Sequence, residues 1–148
     1  WRFRFEFAIG GIIALVHNVG VTLAFVVFMD YELSLSVLAA FLTLIGYSIN
    51  DTIVVFDRIR ENMKKLKDMS LADVMDRSIN DTLSRSVITS VTVFLSTLVL
   101  YIFGGEVLRG FSFVMLVGVI ASAYATVFVS APVVVEWAEK AILKGKKK

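Results

Sequence analysis

The chain has no cysteine, a single proline and a single histidine in 148 residues, and only 19% of its residues are charged. Without cysteine there is no disulfide framework, no thiolate metal site and no cysteine nucleophile. No nucleotide loop, zinc signature, Ser-His-Asp order or dinucleotide fingerprint is present, so soluble-type catalysis has no candidate constellation. Disordered chains are poor in apolar residues and rich in charge; this one is 57% hydrophobic. Its mean hydropathy is +0.80. Ordinary soluble domains carry about 45–50% apolar residues and about 25% charge. A net charge of +2, from 15 basic and 13 acidic residues, is too small to point to nucleic acid.

The missing charge is concentrated in four runs. Phe7 to Met29 holds 23 residues with no Asp, Glu, Lys or Arg, and Leu33 to Phe56 holds 24 interrupted only by Asp51. Ser86 to Gly105 holds 20, and Gly110 to Val135 holds 26. A membrane-crossing helix needs roughly 20 apolar residues at about 1.5 Å each. The expected fold is therefore an all-α membrane protein, a single membrane domain over 1–148. Its four transmembrane helices lie near 8–29, 35–56, 84–104 and 110–135. Both outer connections are short, so the spans form two antiparallel hairpins, and Gly104-Gly105 reads as a turn at the outer surface.

If the spans alternate, fourteen of the fifteen basic residues fall on one side and only Arg109 on the other, beside Asp30, Glu32 and Glu106. The positive-inside rule makes both fragment termini, the loop 57–81 and the basic tail 136–148 cytoplasmic in a multi-pass plasma (inner) membrane protein. Trp1, Phe3 and Phe5 alternate with Arg2 and Arg4, as suits an interfacial segment in contact with membrane lipids. With Trp at position 1, the chain is expected to be a fragment of a longer one. In the loop, Ile59, Met63 and Leu66 fall at helical spacing, with Glu61 and Lys65 as an i,i+4 pair. Ser70 offers an N-cap for Leu71, Val74, Met75 and Ile79. Two short amphipathic cytoplasmic helices are expected there, covering the bundle or touching a partner.

Polar side chains inside the runs need a reason to be there. Thr43, Tyr47 and Asp51 are four apart and share a helix face, with Asn50 beside them. Asp51 lies five residues before Phe56, roughly 7–8 Å inside the boundary. An ionised carboxylate at a span's centre costs about 2.5–3.5 kcal/mol on insertion scales. Asp51 must face protein or water, find a cation or take up a proton. On the third span Thr82, Arg85, Thr89, Thr92 and Ser96 make one polar seam, and pairing of Asp51 with Arg85 is geometrically plausible. The structural alternative has Arg85 snorkelling to lipid headgroups. His17 and Asn18 sit mid-span, where a histidine can relay protons or simply bond a neighbouring helix. Gly118, Ser122, Thr126 and Ser130 form a small-residue ridge suited to helix packing, and Pro132 can kink the fourth span.

Residues 46–62, GYSINDTIVVFDRIREN, resemble the signature of the SecF family of protein-export membrane subunits, and TLSRSVITSVT at 82–92 resembles the segment opening the next helix in that family. Asn50-Asp51-Thr52 is similar to SecF rather than its relative SecD. SecF-like proteins usually have six spans, with a large extracytoplasmic domain after the first. The resemblance therefore implies the C-terminal membrane half, lacking the first span, that outer domain and most of the second span. It implies an RND-superfamily half bundle and a translocase subunit, not an enzyme. Such a subunit uses proton-motive force with a SecD-like partner to help draw preproteins from the SecYEG translocon. Protons are the coupling ion and no other cofactor or metal is implied. By position, Asp51 matches the family's proton-carrying acid, Arg85 its essential intramembrane arginine and Thr89 a neighbouring relay hydroxyl. Ser86 stands where Thr is commoner, and Asn18 where many members have Asp. Two other classes remain: a proton-coupled exporter of small molecules or lipids, distinguished by transport in vesicles, and a passive structural subunit, in which Asp51→Asn weakens assembly instead of coupling.

Overall fold

The computed structural model describes residues 2–66 and 69–130, with side chains described from residue 8 onward except Leu71 and Ser130. Trp1, Lys67, Pro132, the end of the fourth span and the basic tail lie outside the described residues. Four helices follow in order: α1 Arg2–Phe28, α2 Leu35–Lys65, α3 Leu71–Phe103 and α4 Gly105–Ala125, the last continued by a π-helical turn over Thr126–Ser130. Each has an apolar stretch long enough to cross a membrane.

The helix ends follow local chemistry. Ser34 caps α2 by accepting from Val37 N at 3.3 Å. Ser70 caps α3, accepting from Asp73 N at 3.2 Å. Asp30 takes a left-handed φ of 57° between α1 and α2, which Asp tolerates better than most side chains. The turn between α3 and α4 needs Gly105 at φ 71°. Beside it, a Cβ on Gly104 would lie 2.4 Å from the Leu100 carbonyl oxygen.

Helix α4 packs against all three others. Val26 of α1, Val37, Ala40 and Leu44 of α2, and Val114, Met115 and Val119 of α4 make the main core. Gly118 allows this: a Cβ there would lie 2.4 Å from Leu44 Cδ2. At the end of the bundle rich in acids, Tyr31 stacks on Phe113 with ring centroids 4.6 Å apart, and its hydroxyl lies 3.2 Å from that of Tyr101. This ties the α1–α2 turn to both helices of the second hairpin.

The opposite, basic end departs from expectation. The amphipathic helices expected inside a loop 57–81 are instead continuous extensions of the spans. α2 runs on to Lys65 and α3 already starts at Leu71. No Gly or Pro interrupts 57–65, so the helix passes through the boundary and projects roughly 13 Å beyond Phe56. The apolar stripes face each other: Val55, Ile59 and Met75 are buried, with Phe56, Met63 and Ile79 packed around them. A polar clamp flanks this two-helix stalk. Asn62 donates to Ser78 Oγ at 2.9 Å and to Asp81 Oδ2 at 3.2 Å, and Arg58 donates to Asp81 at 2.9 Å.

The Asn62 amide, then the Arg58 guanidinium, hold the Asp81 carboxyl below the usual carboxylate range. An acid whose pKa falls on folding adds stability above its unfolded value, about 3.9, and loses it as pH falls through the folded value. The clamp is therefore expected to stay closed from about pH 8 to pH 5 and to open only below about pH 4. A spin-label distance across the stalk, from position 64 to position 73, checks this. Widening near neutral pH would contradict it.

Candidate proton site between the second and third helices

Asp51 points from α2 toward α3 and is neither fully buried nor exposed. It accepts a hydrogen bond from Ser86 Oγ at 2.7 Å. One turn further from the basic end, the Tyr47 and Ser90 hydroxyls lie 2.9 Å apart. These two rungs, four residues apart on each helix, join the first hairpin to the second inside the apolar segment. A cavity of about 230 Å³ opens beside them, lined by Asp51, Thr82, Ser86 and Ser90, with Thr126 on its α4 wall.

Arg85 is not the partner of Asp51. Its side chain is exposed, and among the described residues the salt bridges are Arg58–Glu61, Arg58–Asp81 and Lys65–Glu61. The reason is helical phase. Successive residues are about 100° apart, so a helix that turns Ser86 toward α2 turns Arg85 away. The expected single seam therefore splits into two faces. Thr82 is buried on the inner face with Ser86 and Ser90, and bonds the carbonyls of Ser78 and Ile79 at 3.0 and 3.1 Å. Thr89, Thr92 and Ser96 share the outer face with Arg85. Their hydroxyls bond the backbone of their own helix, at Arg85 O (2.8 Å), Ile88 O (2.8 Å) and Thr92 O (2.9 Å). Asn50 is exposed, and so is Thr43, which bonds Ala39 O at 2.9 Å.

The remaining candidates lie elsewhere. His17 is on α1, with its ring 6.5 Å from that of Tyr124 on α4 and outside the Asp51 cavity. Gly118, Ser122 and Thr126 are buried along α4; Ser130 closes the π-turn, with its side chain outside the described set. Sequence reasoning missed Ser86 and Ser90 as the partners of Asp51 and Tyr47. The signal was present as Thr82, Ser86 and Ser90 at intervals of four, the same interval as Tyr47 to Asp51.

Residues 1–140 match the family described as protein export membrane protein SecD/SecF, C-terminal. The chain is 50% identical over 139 residues to the protein translocase subunit SecF of Koribacter versatilis, covering 94% of this chain and 34% of that protein. It is 48% identical over 141 residues to that of Rhodothermus marinus, covering 91% and 46%, and 45% identical over 139 residues to that of Rickettsia bellii, covering 94% and 46%. The chain thus spans between a third and a half of these relatives. The crystal structure of SecDF, a translocon-associated membrane protein from Thermus thermophilus, matches with a TM-score of 0.88 at 43% identity, over 93% of this chain and 19% of that one. The chain belongs to the SecD/SecF C-terminal family of protein export membrane proteins, on the SecF side of it.

Proposed function

We propose that this chain is the C-terminal membrane part of a SecF-type subunit. Beside a SecD-like partner, it uses the proton-motive force to assist preprotein export through the SecYEG translocon, with no chemical catalysis of its own. The observation that carries this reading is Asp51, an acid inside an apolar span, bonded to Ser86 beside a cavity of about 230 Å³. Ionised, it accepts a charge-assisted hydrogen bond, roughly twice as strong as a neutral one. Protonated, it keeps only the neutral bond. Because α2 and α3 belong to different hairpins, proton uptake loosens one hairpin against the other, a two-state element of the kind coupling requires.

The excess of Lys and Arg at one end supports a cytoplasmic assignment for the stalk and an extracytoplasmic one for Asp30, Glu32 and Glu106. Preproteins are handled by the outer domain of the complete protein. The reading is tested in inverted membrane vesicles containing the complete subunit and its partners. Imposing a proton gradient is expected to speed late preprotein movement, and equal rates with and without the gradient would overturn it.

A charged residue within a span faces protein or water in nearly all cases. The exposed face of Arg85, Thr89, Thr92 and Ser96 is therefore assigned to the SecD-like partner. Arg85→Lys is expected to impair coupling, because lysine lacks the planar fork and carries a titratable proton. It should leave the subunit's own melting nearly unchanged, within about 0.5 kcal/mol. Wild-type coupling together with undiminished co-purification of the partner would return Arg85 to a role as a lipid-boundary marker.

A further inference from the structure

Among the described residues, His17, Asn18, Ser112, Ser122 and Thr126 carry buried polar atoms without a partner, and three of them lie along one seam. Asn18 on α1 is fully buried, and neither its Nδ2 nor its Oδ1 has a partner among the described residues. Ser122 Oγ, on the buried side of α4, has none either, and nor does Thr126 Oγ1 one turn further on. An unpaired buried amide or hydroxyl is costly, and the interior of a membrane protein offers no bulk water to relieve it.

Register brings these groups together. α1 and α4 run antiparallel, with His17 against Tyr124, and the groove on that side is lined by His17, Val21 and Phe25 opposite Val117, Ile120 and Tyr124. That puts Asn18 within about one residue's rise of Ser122. α2 and α4 run parallel, with Val37 against Gly110 and Leu44 against Gly118, which brings Thr126 level with Asp51. Thr126 itself lines the Asp51 cavity. Above Asn18 the row is interrupted by the apolar core of Val26, Leu44, Met115 and Val119, which separates it from one further orphan, the Ser112 hydroxyl nearer the acidic end.

We infer that the seam formed by Asn18, Ser122 and Thr126 binds ordered water continuous with the Asp51 cavity, so that Asp51 exchanges its proton along the α1–α4 seam. A buried water needs two to four polar partners. The two amide atoms and the two hydroxyls supply four. The core above Asn18 is a dry plug, so in this conformation the track is closed toward the acidic end. Among the described residues, the titratable and charged groups nearest Asp51 are Tyr47, one turn away on α2, and Arg85, next to Ser86 but exposed, on α3. α4 and the π-turn that continues it present Ala123, Thr126 and Val127 to the cavity, none of them titratable. On α1, His17 lies against Tyr124 outside the cavity, with its buried Nδ1 also unpartnered beside Asn18, so it is a titratable group bordering the seam.

The inference rests on Asp51 being the proton-carrying acid, and two readouts on the complete subunit in lipid separate the two ideas. The first is melting. If the seam is dry, Thr126→Val removes a costly orphan at constant shape and raises the melting temperature, as does Ser122→Ala. If water is bound, both lower it, and Thr126→Ser stays near the parent. A raised melting temperature in Thr126→Val overturns the inference whatever Asp51 does. The second is the infrared carboxyl band of Asp51, assigned by its loss in Asp51→Asn. Drying the cavity disfavours the charged form, so Thr126→Val and Asn18→Leu are expected to raise the protonation midpoint by about one pH unit, with Thr126→Ser restoring it. An unmoved midpoint in both variants overturns the link between seam and acid. Absence of any Asp51 band over the titration sinks the proton-carrying reading instead, and the melting test still decides the seam.

Discussion

Asp51→Asn in the complete subunit is expected to abolish stimulation of export by the proton-motive force while leaving membrane insertion and partner binding intact. Asparagine has nearly the same shape, and its Oδ1 can still accept from the Ser86 hydroxyl that now lies 2.7 Å from the carboxylate. The α2–α3 rung therefore survives in a neutral form. What is lost is the ability to gain and release a proton. One charge crossing 100 mV is worth about 2.3 kcal/mol, roughly fifty-fold in a rate or an equilibrium, and the variant forfeits all of it. Asp51→Glu keeps the acid but moves it by one methylene past Ser86, and should retain part of the stimulation. Vesicle export rates with and without an imposed gradient measure both variants. Loss of partner co-purification with coupling preserved would instead mark Asp51 as helix glue.

Gly118→Ala is expected to damage packing in the main core of the bundle. The added Cβ would lie 2.4 and 2.5 Å from the two Leu44 methyl carbons and 2.9 Å from its Cγ. Leu44 is completely buried among Val26, Val37, Ala40, Val114, Met115 and Val119, so no empty space receives it. Overpacking of this kind costs about 1–3 kcal/mol, read as a fall of several degrees in melting temperature. The same methyl at Gly20 or Gly46 meets nothing within 4 Å, and there alanine should be neutral or mildly stabilising. Combining Gly118→Ala with Leu44→Val should cost less than the two changes added separately, because they share one contact. Additive losses would place the damage elsewhere.

The contrast between these sites explains what was legible in the sequence. The four spans were readable because apolar runs of 20 or more residues with at most one charge have few other homes. Their helices were harder to bound. The sequence reading closed the second span at Phe56 and opened the third at residue 84, where hydropathy changes, yet α2 ends at Lys65 and α3 begins at Leu71. Hydropathy marks where the membrane ends, not where the backbone stops being helical. Asp51 was legible as a lone acid in an apolar run, but its partner was not. Charge suggested Arg85, and helical phase selected Ser86. Because α3 carries hydroxyls on both faces, its composition could not say which face meets α2. Asn18 read as a departure from an expected acid. Its burial among other orphaned polar groups emerges only when α1, α2 and α4 are in register.

The proposed coupling requires Asp51 to change protonation within the working range of the membrane, with Ser86 sensing the change. The most direct measurement is the infrared spectrum of the complete subunit in vesicles, recorded as a proton gradient is imposed and then collapsed. A protonated-carboxyl band that appears and disappears with the gradient, is absent in Asp51→Asn and shifts in Ser86→Ala is the result expected. An Asp51 carboxyl that stays in one protonation state throughout would contradict the account, whatever the export rates.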